Sequence, residues 1–428
     1  MTDVIYNPAA PPALPEDRPR KAAVLFIFVT ALMDVLALGL MIPVLPNLVK
    51  QFAGGDTATA AQYTLLFAVT WGVMQFFFGP IQGMLSDRFG RRPVLLISIF
   101  GLGVDYLFMA LAPTLAWLYV GRLINGVTSA SFSTANAYVA DVTAPQDRAK
   151  AFGLMGAAFG IGFVLGPGLG GVLGHINLRL PFFFSAGLAL CNWLYGFFIL
   201  PESLPKERRS AKLDWKRANP VGAFQLLSSR RNLLGLAGVF ALFQLAHNVF
   251  PSIFVLYVGQ RFGWGPLGAG LMLVATGALS IVVQLTLVGR VVKRVGERGA
   301  LLIGLSSAIL AFTTYALAPT ALWFVSSIPL GALSALIGPG LQSLMSRRVP
   351  AFEQGRLQGT NSAMMGICAI IGPMIYLSTL AYSVRHEASL HLVGLPILIA
   401  AGLCLAALIL AIRVATPVPD ADAVPAPR

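Results

Sequence analysis

Residues 83–93 read Gly-Met-Leu-Ser-Asp-Arg-Phe-Gly-Arg-Arg-Pro, and residues 289–299 read Gly-Arg-Val-Val-Lys-Arg-Val-Gly-Glu-Arg-Gly. Both stretches are basic, and each lies between long apolar segments. The shift of 206 positions that aligns them also aligns Gly166-Pro167 with Gly372-Pro373. A constant shift between distant points indicates an internal duplication, which is a known architecture of helical membrane proteins. The chain is therefore expected to contain two copies of one unit.

The composition indicates that each unit is built from membrane-spanning helices. The chain has 428 residues, of which 57% are hydrophobic and only 11% are charged, whereas soluble domains have about 25% charged residues. A helix needs roughly 20 apolar residues to cross about 30 Å of hydrocarbon. Segments of that kind recur along the sequence, and its length accommodates about twelve of them with loops. This predicts an all-α membrane protein with two pseudo-symmetric halves of six helices each.

The predicted organisation has five parts. They are an N-terminal tail at 1–21, a first six-helix half at 22–200, a central linker at 201–232, a second six-helix half at 233–412 and a C-terminal tail at 413–428. The net charge is +13, and with both termini in the cytoplasm about 25 of the 30 Lys and Arg residues fall on the cytoplasmic side. The N-terminal tail has no apolar run typical of a cleavable signal peptide. We therefore expect a multi-pass protein with both termini and the linker in the cytoplasm.

Several other functions are disfavoured by the sequence. The basic residues are spread over short loops and do not form one polar face, so nucleic acid is not an expected partner. Cys191, Cys368 and Cys404 lie in apolar spans without a CxxC spacing, so no metal site or disulfide framework is predicted. No nucleotide-binding loop, HExxH motif or recognised catalytic arrangement is present. The chain is expected not to be an enzyme and to need no cofactor.

The fifth apolar span carries small residues at regular spacing. Gly162, Gly166 and Gly170 lie four residues apart, and Pro167 and Gly171 interrupt the same segment. Small residues with this spacing share one helix face and allow a neighbouring backbone to approach closely. Proline removes a backbone donor and favours a bend. The alternative is tight helix packing with no role in the mechanism.

Three ionisable residues lie within spans of the first half: Asp34, Asp105 and Arg122. Counting 1.5 Å per residue from the expected helix ends places all three at a similar depth. Each costs roughly 2.5–3.5 kcal/mol in a bilayer unless it is paired or hydrated. The hypothesis is that Asp34 or Asp105 exchanges protons while Arg122 holds the counter-charge. The alternative is a static ion pair that joins three helices.

The second half has no acidic or basic residue near the middle of a span, but it has polar ones. These candidates for lining a substrate cavity are His247, Gln244, Asn248, Ser280, Gln284 and Asn361. A single helical His is more often a packed, hydrogen-bonded residue than a proton carrier, and that alternative stays open for His247.

Residues 83–93 match the signature loop of the major facilitator superfamily, and residues 166–171 resemble the motif that marks its antiporters. The resemblance implies alternating access between two halves. It also implies that Asp87, Arg91 and Arg92, with Gly83 allowing close approach, latch the cytoplasmic helix ends. The second copy carries Lys293 at the Asp position, which predicts one degenerate latch. For Arg88 the alternative is a role in topology alone.

Other stretches resemble the tetracycline exporter branch more narrowly. They are Met33-Asp34 through Pro46, Asp105-Tyr106, Gly121-Arg122 and residues 137–141. The resemblance implies roles in transport for the two intramembrane carboxylates, for Arg122 and for Asp141. For Asp141 a plain salt bridge with Arg148 or Lys150 is the alternative.

The expected activity is proton-coupled antiport that exports small molecules, such as drugs, from a bacterium. The resemblance implies a monomer in the inner membrane that uses a proton gradient as its energy source. The alternative is a uniporter or a proton symporter of a small metabolite. Ser280 and Ala308 occupy positions where the branch typically has His and Asp, which argues against tetracycline itself as the substrate.

Overall fold

The computed structural model describes residues 17–128, 131–143, 148–206, 209, 231–349 and 354–415. Every regular element in these residues is helical. Most of both predicted tails and most of the predicted linker lie outside the described residues; α1 begins at Asp17 and so extends into the predicted N-terminal tail.

The described residues of the first half form eight helices. They are α1 (Asp17–Met41), α2 (Leu45–Phe52), α3 (Thr57–Phe89), α4 (Arg91–Leu111), α5 (Leu115–Thr128), α6 (Ser131–Val142), α7 (Arg148–Ile176) and α8 (Leu180–Ile199). A turn at residues 42–44 separates α1 from α2, and together they make one apolar crossing. The helices α5 and α6 lie on either side of two undescribed residues, 129 and 130, and together make the fourth crossing of the first half.

The second half begins at α9 and contains shorter pieces. Its helices are α9 (Arg231–His247), α10 (Val249–Phe262), α11 (Pro266–Val283), α12 (Gly289–Leu317), α13 (Ala321–Ser326), α14 (Ile328–Ala332), α15 (Ile337–Ser346), α16 (Gln354–Arg385), α17 (Glu387–Leu390) and α18 (Leu395–Val414). A π-helical turn, Gln284–Val288, joins α11 to α12, and a 3₁₀ turn, Leu333–Leu336, joins α14 to α15.

The helices account for twelve crossings. Ten stretches of the described residues are long and apolar enough to span a membrane. One of them, Pro266–Leu317, has 52 residues, which is more than twice the length that one crossing needs. It is broken at Gly296, where φ is 74° and ψ is 175°. Counting this stretch as two crossings and adding the α5–α6 pair gives two sets of six, which confirms the predicted fold class.

Backbone geometry supports the duplication. Gly90, between α3 and α4, has φ of 106°, and Gly296 has φ of 74°. The two glycines occupy equivalent positions in the two copies. A positive φ is accessible to glycine at little steric cost, so the same sharp junction recurs in each half.

The two ends of the bundle differ in how the halves meet. We call one the motif end and the other the far end. The motif end carries residues 83–93, residues 200–206 and Gly296; the far end carries residues 53–56, 112–114, 177–179 and 263–265.

From the far end to the middle of the bundle the halves are in direct contact. A Cβ added to Gly171 of α7 would lie 3.1 Å from the Cα of Gly270 in α11. A Cβ added to Gly72 of α3 would lie 3.0 Å from Ile370 of α16. These contacts bring α7 onto α11 and α3 onto α16, which are the main seams between the halves.

Toward the motif end these contacts stop. A Cβ added to Gly153, Gly156 or Gly160 of α7 would meet nothing within 4 Å, and the same holds for Gly79 and Gly83 of α3. The contacts described between the halves thus lie from the middle of the bundle toward the far end, and none is described beside these five glycines.

Candidate functional site

Asp105 lies in α4 with 0% of its surface exposed. Its Oδ2 atom accepts a hydrogen bond of 2.7 Å from Asn125 Nδ2, and Asn125 Oδ1 accepts one of 2.8 Å from Trp71 Nε1. Its Oδ1 atom is buried and has no hydrogen-bond partner in the described structure. A Cβ added to Gly121 would lie 2.8 Å from Oδ1, so only a glycine leaves this oxygen its space.

Arg122 follows Gly121 in α5 and is also buried. Its Nη2 atom contacts the sulfur atoms of Met41 at 3.2 Å and Met109 at 3.1 Å, while its Nε atom has no described partner. Thioether sulfur is a weak acceptor, so these contacts compensate little of the desolvation of the guanidinium. Arg122 is close enough to attract the carboxylate of Asp105 electrostatically, although no hydrogen bond joins them.

Asp34 belongs to the same layer of the first half. Its Oδ1 atom accepts a hydrogen bond of 3.0 Å from Asn192 Nδ2 in α8, and the same amide lies 3.2 Å from the carbonyl oxygen of Thr30. The charges of Asp34, Asp105 and Arg122 all act on the buried phenol of Tyr106. The structure thus brings the three intramembrane charges into one region around that ring.

The signature loop forms a network at the motif end. Arg91 Nη1 lies 2.6 Å from Asp87 Oδ1, and Arg91 Nε lies 3.1 Å from Asp141 Oδ2. Arg92 Nη2 donates a hydrogen bond of 2.7 Å to the carbonyl oxygen of Phe197 in α8. The side chains of Arg148 and Lys150, the partners considered for Asp141, lie outside the described residues. The contacts described for the loop join helices of the first half to each other.

Glu202 is a member of this network that the sequence did not single out. Its Oε1 atom accepts hydrogen bonds from the backbone N–H of Arg91 at 2.8 Å and of Leu204 at 3.1 Å. Its Oε2 atom lies 3.4 Å from Arg209 Nη2, and a Cβ at Gly90 would collide with it. A carboxylate at a helix N-terminus satisfies free N–H groups and complements the helix dipole. The only sign of this role in the sequence is that Glu202 is an acidic residue just after the end of an apolar span.

The second copy of the loop is bonded differently. Glu297, at the position of Arg91, accepts a hydrogen bond of 2.8 Å from Arg347 and one of 3.3 Å from Ser343. Both partners belong to the region of α15. Lys293 stands at the position of Asp87, so the signs of the two charges are exchanged, and the ion pair described for Glu297 is with Arg347.

The glycine motif of α7 allows two neighbouring helices, α1 and α11, to approach the α7 backbone closely. Gly162, Gly166 and Gly170 face α1, where a Cβ on Gly166 would lie 2.7 Å from the Cα of Gly39. Gly171 faces the other half, and a Cβ there would lie 2.8 Å from the carbonyl oxygen of Pro266. A Cβ on Gly270 would collide with the carbonyl oxygen of Pro167. The motif therefore lies where α1, α7 and α11 meet.

The polar candidates of the second half are in different settings. His247 is exposed and ends α9, where Asn248 interrupts the helix by donating a side-chain hydrogen bond of 2.8 Å to the Gln244 carbonyl. Asn361 is buried and donates one of 3.0 Å to Gln342. Two further candidates lie in and just after α11. Ser280 is half-buried, and Gln284 is exposed at the start of the π-helical turn.

The far end has polar contacts of its own. Thr57 Oγ1 donates a hydrogen bond of 2.7 Å to Gln260 Oε1 across the two halves, and Gln260 Nε2 donates one of 3.1 Å to Glu387 Oε2. Asp56 caps α3 by accepting from the Thr59 N–H at 2.8 Å, and hydrogen bonds from Thr59 lower the pKa of this carboxyl.

Comparisons with known proteins agree with this architecture. The sequence profile of the Major Facilitator Superfamily matches residues 27–373. The tetracycline resistance protein, class C, of Escherichia coli is 39% identical over 385 residues, which cover 88% of this chain and 96% of that protein. The class G protein of Vibrio anguillarum is 36% identical and covers 89% and 97%.

Solved structures of two transporters share the fold. The human organic anion transporter MFSD10 (TETRAN) has a TM-score of 0.66 at 24% identity and covers 92% of this chain and 99% of its own. The nucleoside transporter NupG has a TM-score of 0.71 at 16% identity and covers 92% and 98%. The chain therefore belongs to the major facilitator superfamily, in the group that contains the tetracycline resistance proteins.

Proposed function

We propose that this protein exports small molecules across a membrane in exchange for protons. Membership of the superfamily makes it a transporter and not an enzyme. The observation that carries proton coupling is Asp105, a buried carboxylate with one unpartnered oxygen in the same layer as Arg122. Such a group changes protonation when its hydration or its neighbours change.

Proton transport and substrate transport are coupled because the proton and the substrate compete for the negative charge of Asp105. A proton or a cationic substrate can neutralise the carboxylate, and Arg122 stabilises the ionised form between these events. Release of the proton on one side and of the substrate on the other requires a cleft between the halves to open alternately at the two ends. The contacts described between the halves lie toward the far end, and none is described beside Gly153, Gly156 or Gly160. This supports a state that is closed at the far end and open at the motif end, which is one of the two states that such a cycle needs.

The orientation proposed here places the motif end and both termini in the cytoplasm. The positive-inside rule favours it, because the loops at the motif end carry most of the cations. The protein is then a monomeric, multi-pass transporter of a bacterial inner membrane, driven by the proton gradient without a cofactor. In this state the cleft is open to the cytoplasm, where an exporter loads its substrate.

The relatives named for tetracycline resistance make tetracycline-like compounds the first substrates to test. Ala308 is buried and apolar at the position where the exporter branch typically has a carboxylate. Ser280 likewise cannot carry charge. The second half therefore presents less charge to a substrate than in that branch, which favours a different preference among cationic or metal-chelated drugs.

The test is proton movement in everted vesicles with a preset pH gradient, using a panel of tetracyclines and cationic drugs. Drug addition should collapse the gradient with the wild type and not with Asp105→Asn. Drug movement without proton movement would favour a uniporter, and proton movement in the same direction as the drug would favour a symporter. Either result would overturn the proposal.

A further inference from the structure

A short chain of hydrogen-bonded polar side chains connects Asp105 to α3, the helix of the first half that packs on α16 of the second half. It runs from Asp105 in α4 to Asn125 in α5 and to Trp71 in α3, with hydrogen bonds of 2.7 Å and 2.8 Å. Asn125 is 4% exposed, so water competes little for either bond. Three helices are thus joined by two hydrogen bonds, one of which is made to the candidate proton carrier.

The donors in this chain determine which oxygen is free. The indole N–H of Trp71 can only donate, so it faces the oxygen of the Asn125 amide. The NH₂ group of that amide must then face Asp105, and it occupies Oδ2. A proton on Oδ2 would place an O–H donor against the N–H donor of Asn125. The proton is therefore accommodated on Oδ1, the buried atom without a described partner.

The other end of the chain lies at the junction of the halves. Gly72, next to Trp71, packs on Ile370 of α16 in the second half. Gly126, next to Asn125, packs on α3, because a Cβ there would lie 2.5 Å from the Cβ of Met74. The chain and its flanking glycines thus connect Asp105 to the seam between α3 and α16.

We propose that Asn125 and Trp71 are positioning residues that direct the coupled proton to Oδ1 of Asp105 and tie its arrival to movement of α3 against α16. This inference rests on the proposed antiport. When Oδ1 is protonated, Asp105 loses its charge and the bond from Asn125 is no longer charge-assisted, which weakens it. Trp71 is then held less firmly, and the seam can slide.

The test uses Trp71→Phe, which keeps an aromatic ring and removes the N–H donor. Purified variants in proteoliposomes are assayed for protons moved per substrate and for substrate exchange at equal pH. We expect exchange to be retained while protons moved per substrate fall severalfold. The pH midpoint of export should move up by about one unit, because a charge-assisted hydrogen bond to the ionised carboxylate has lost its anchor.

Trp117→Phe is the matched control, since Trp117 lies on α5 with 47% of its surface exposed and should leave both readouts unchanged. If Trp71→Phe behaves like the wild type and this control, the inference is wrong. If the wild type itself moves no protons with any substrate, the proposed antiport fails instead. Should Trp71→Phe not fold, Asn125→Ala must reproduce both effects, and a wild-type profile there would likewise overturn the inference.

Discussion

The far end and the motif end use the same residue type in opposite ways. At the far end, glycines of α7 bring two backbones together, as at Gly170, where a Cβ would collide with the Leu40 carbonyl, and at Gly171 beside Pro266. Toward the motif end, a Cβ added to Gly156 or Gly160 of the same helix would meet nothing within 4 Å. Only part of the glycine stripe of α7 is therefore used for close backbone contact in this structure.

The polar contacts follow the same division. At the far end a hydrogen bond from Thr57 to Gln260 crosses the halves. At the motif end the described bonds of Arg91 join helices of the first half, and Glu202 of the linker bonds to the start of α4 in the same half. Closure therefore depends on packing and hydrogen bonds between halves at one end, while the other end is preorganised within one half. The difference in free energy between the two arrangements sets their populations.

The largest expected effect is at the far-end seam. Gly171→Val would place side-chain atoms where Pro266 and Gly270 already approach the α7 backbone. Overpacking of this kind costs roughly 1–3 kcal/mol and occasionally more, so closure of the far end should fail. We expect export to fall at least about tenfold, since 1.4 kcal/mol is one factor of ten. Drug efflux from vesicles containing equal amounts of protein measures this.

Gly160→Val is the matched variant on the same helix. Nothing lies within 4 Å of a Cβ there in this state, so thermal stability should stay close to the wild type. Export should nevertheless fall if this surface is covered when the motif end closes. Equal destabilisation by the two substitutions would show that the ends do not differ in packing as described.

A smaller effect is expected from the hydrogen bonds of the far end. Gln260→Leu removes the bonds to Thr57 and Glu387, and net values near 1 kcal/mol per bond predict a several-fold rise in far-end opening. A cysteine introduced at Leu267, beside Gly171, reports the opening through its rate of reaction with an impermeant maleimide. Gln62→Leu on the exposed side of α3 is the control. An unchanged labelling rate in Gln260→Leu would show that these hydrogen bonds do not contribute to keeping the far end closed.

At the motif end we expect an effect confined to the first half. Glu202→Ala leaves the N-terminus of α4 without its acceptor and should lower stability by about 1 kcal/mol. Gly90→Ala should cost more, because Gly90 has a φ of 106° and a Cβ that would collide with Glu202. The double variant should be less destabilised than the sum of the two, since the collision disappears with Glu202. Additive changes in the thermal unfolding midpoint would contradict the contact.

The sequence predicted the crossings and the depth of the charges, but not which side chains meet. Hydropathy and helical rise locate Asp105 and Arg122 along their own helices. They do not specify that two thioethers, from Met41 and Met109, contact the guanidinium in place of a carboxylate. Such contacts depend on how helices rotate and cross, and many packings share one hydrophobic pattern.

Two asparagines illustrate the same limit. Asn125 and Asn192 are buried in apolar spans and hydrogen-bond to the two intramembrane carboxylates. A polar residue in a span is a signal in the sequence, but its partner lies on another helix. The glycine stripe was predicted as a contact surface, whereas its division between α1 and α11 required the structure.

The smallest expected effect concerns Asp56, which caps α3 at the far end outside the membrane. Hydrogen bonds from Thr59 hold the pKa of this carboxyl below its ordinary value. A group whose pKa is lower in the folded protein stabilises it above the unfolded value, near 4, and this stabilisation is lost as pH falls through the folded value. Asp56→Asn keeps a capping side chain and should reduce the drop in the unfolding midpoint between neutral pH and pH 3 at this site. Asp56→Ala should lower the unfolding midpoint already at neutral pH, because the cap itself is lost. An identical pH dependence of the midpoint in the wild type and Asp56→Asn would show that the charge of Asp56 does not contribute to stability.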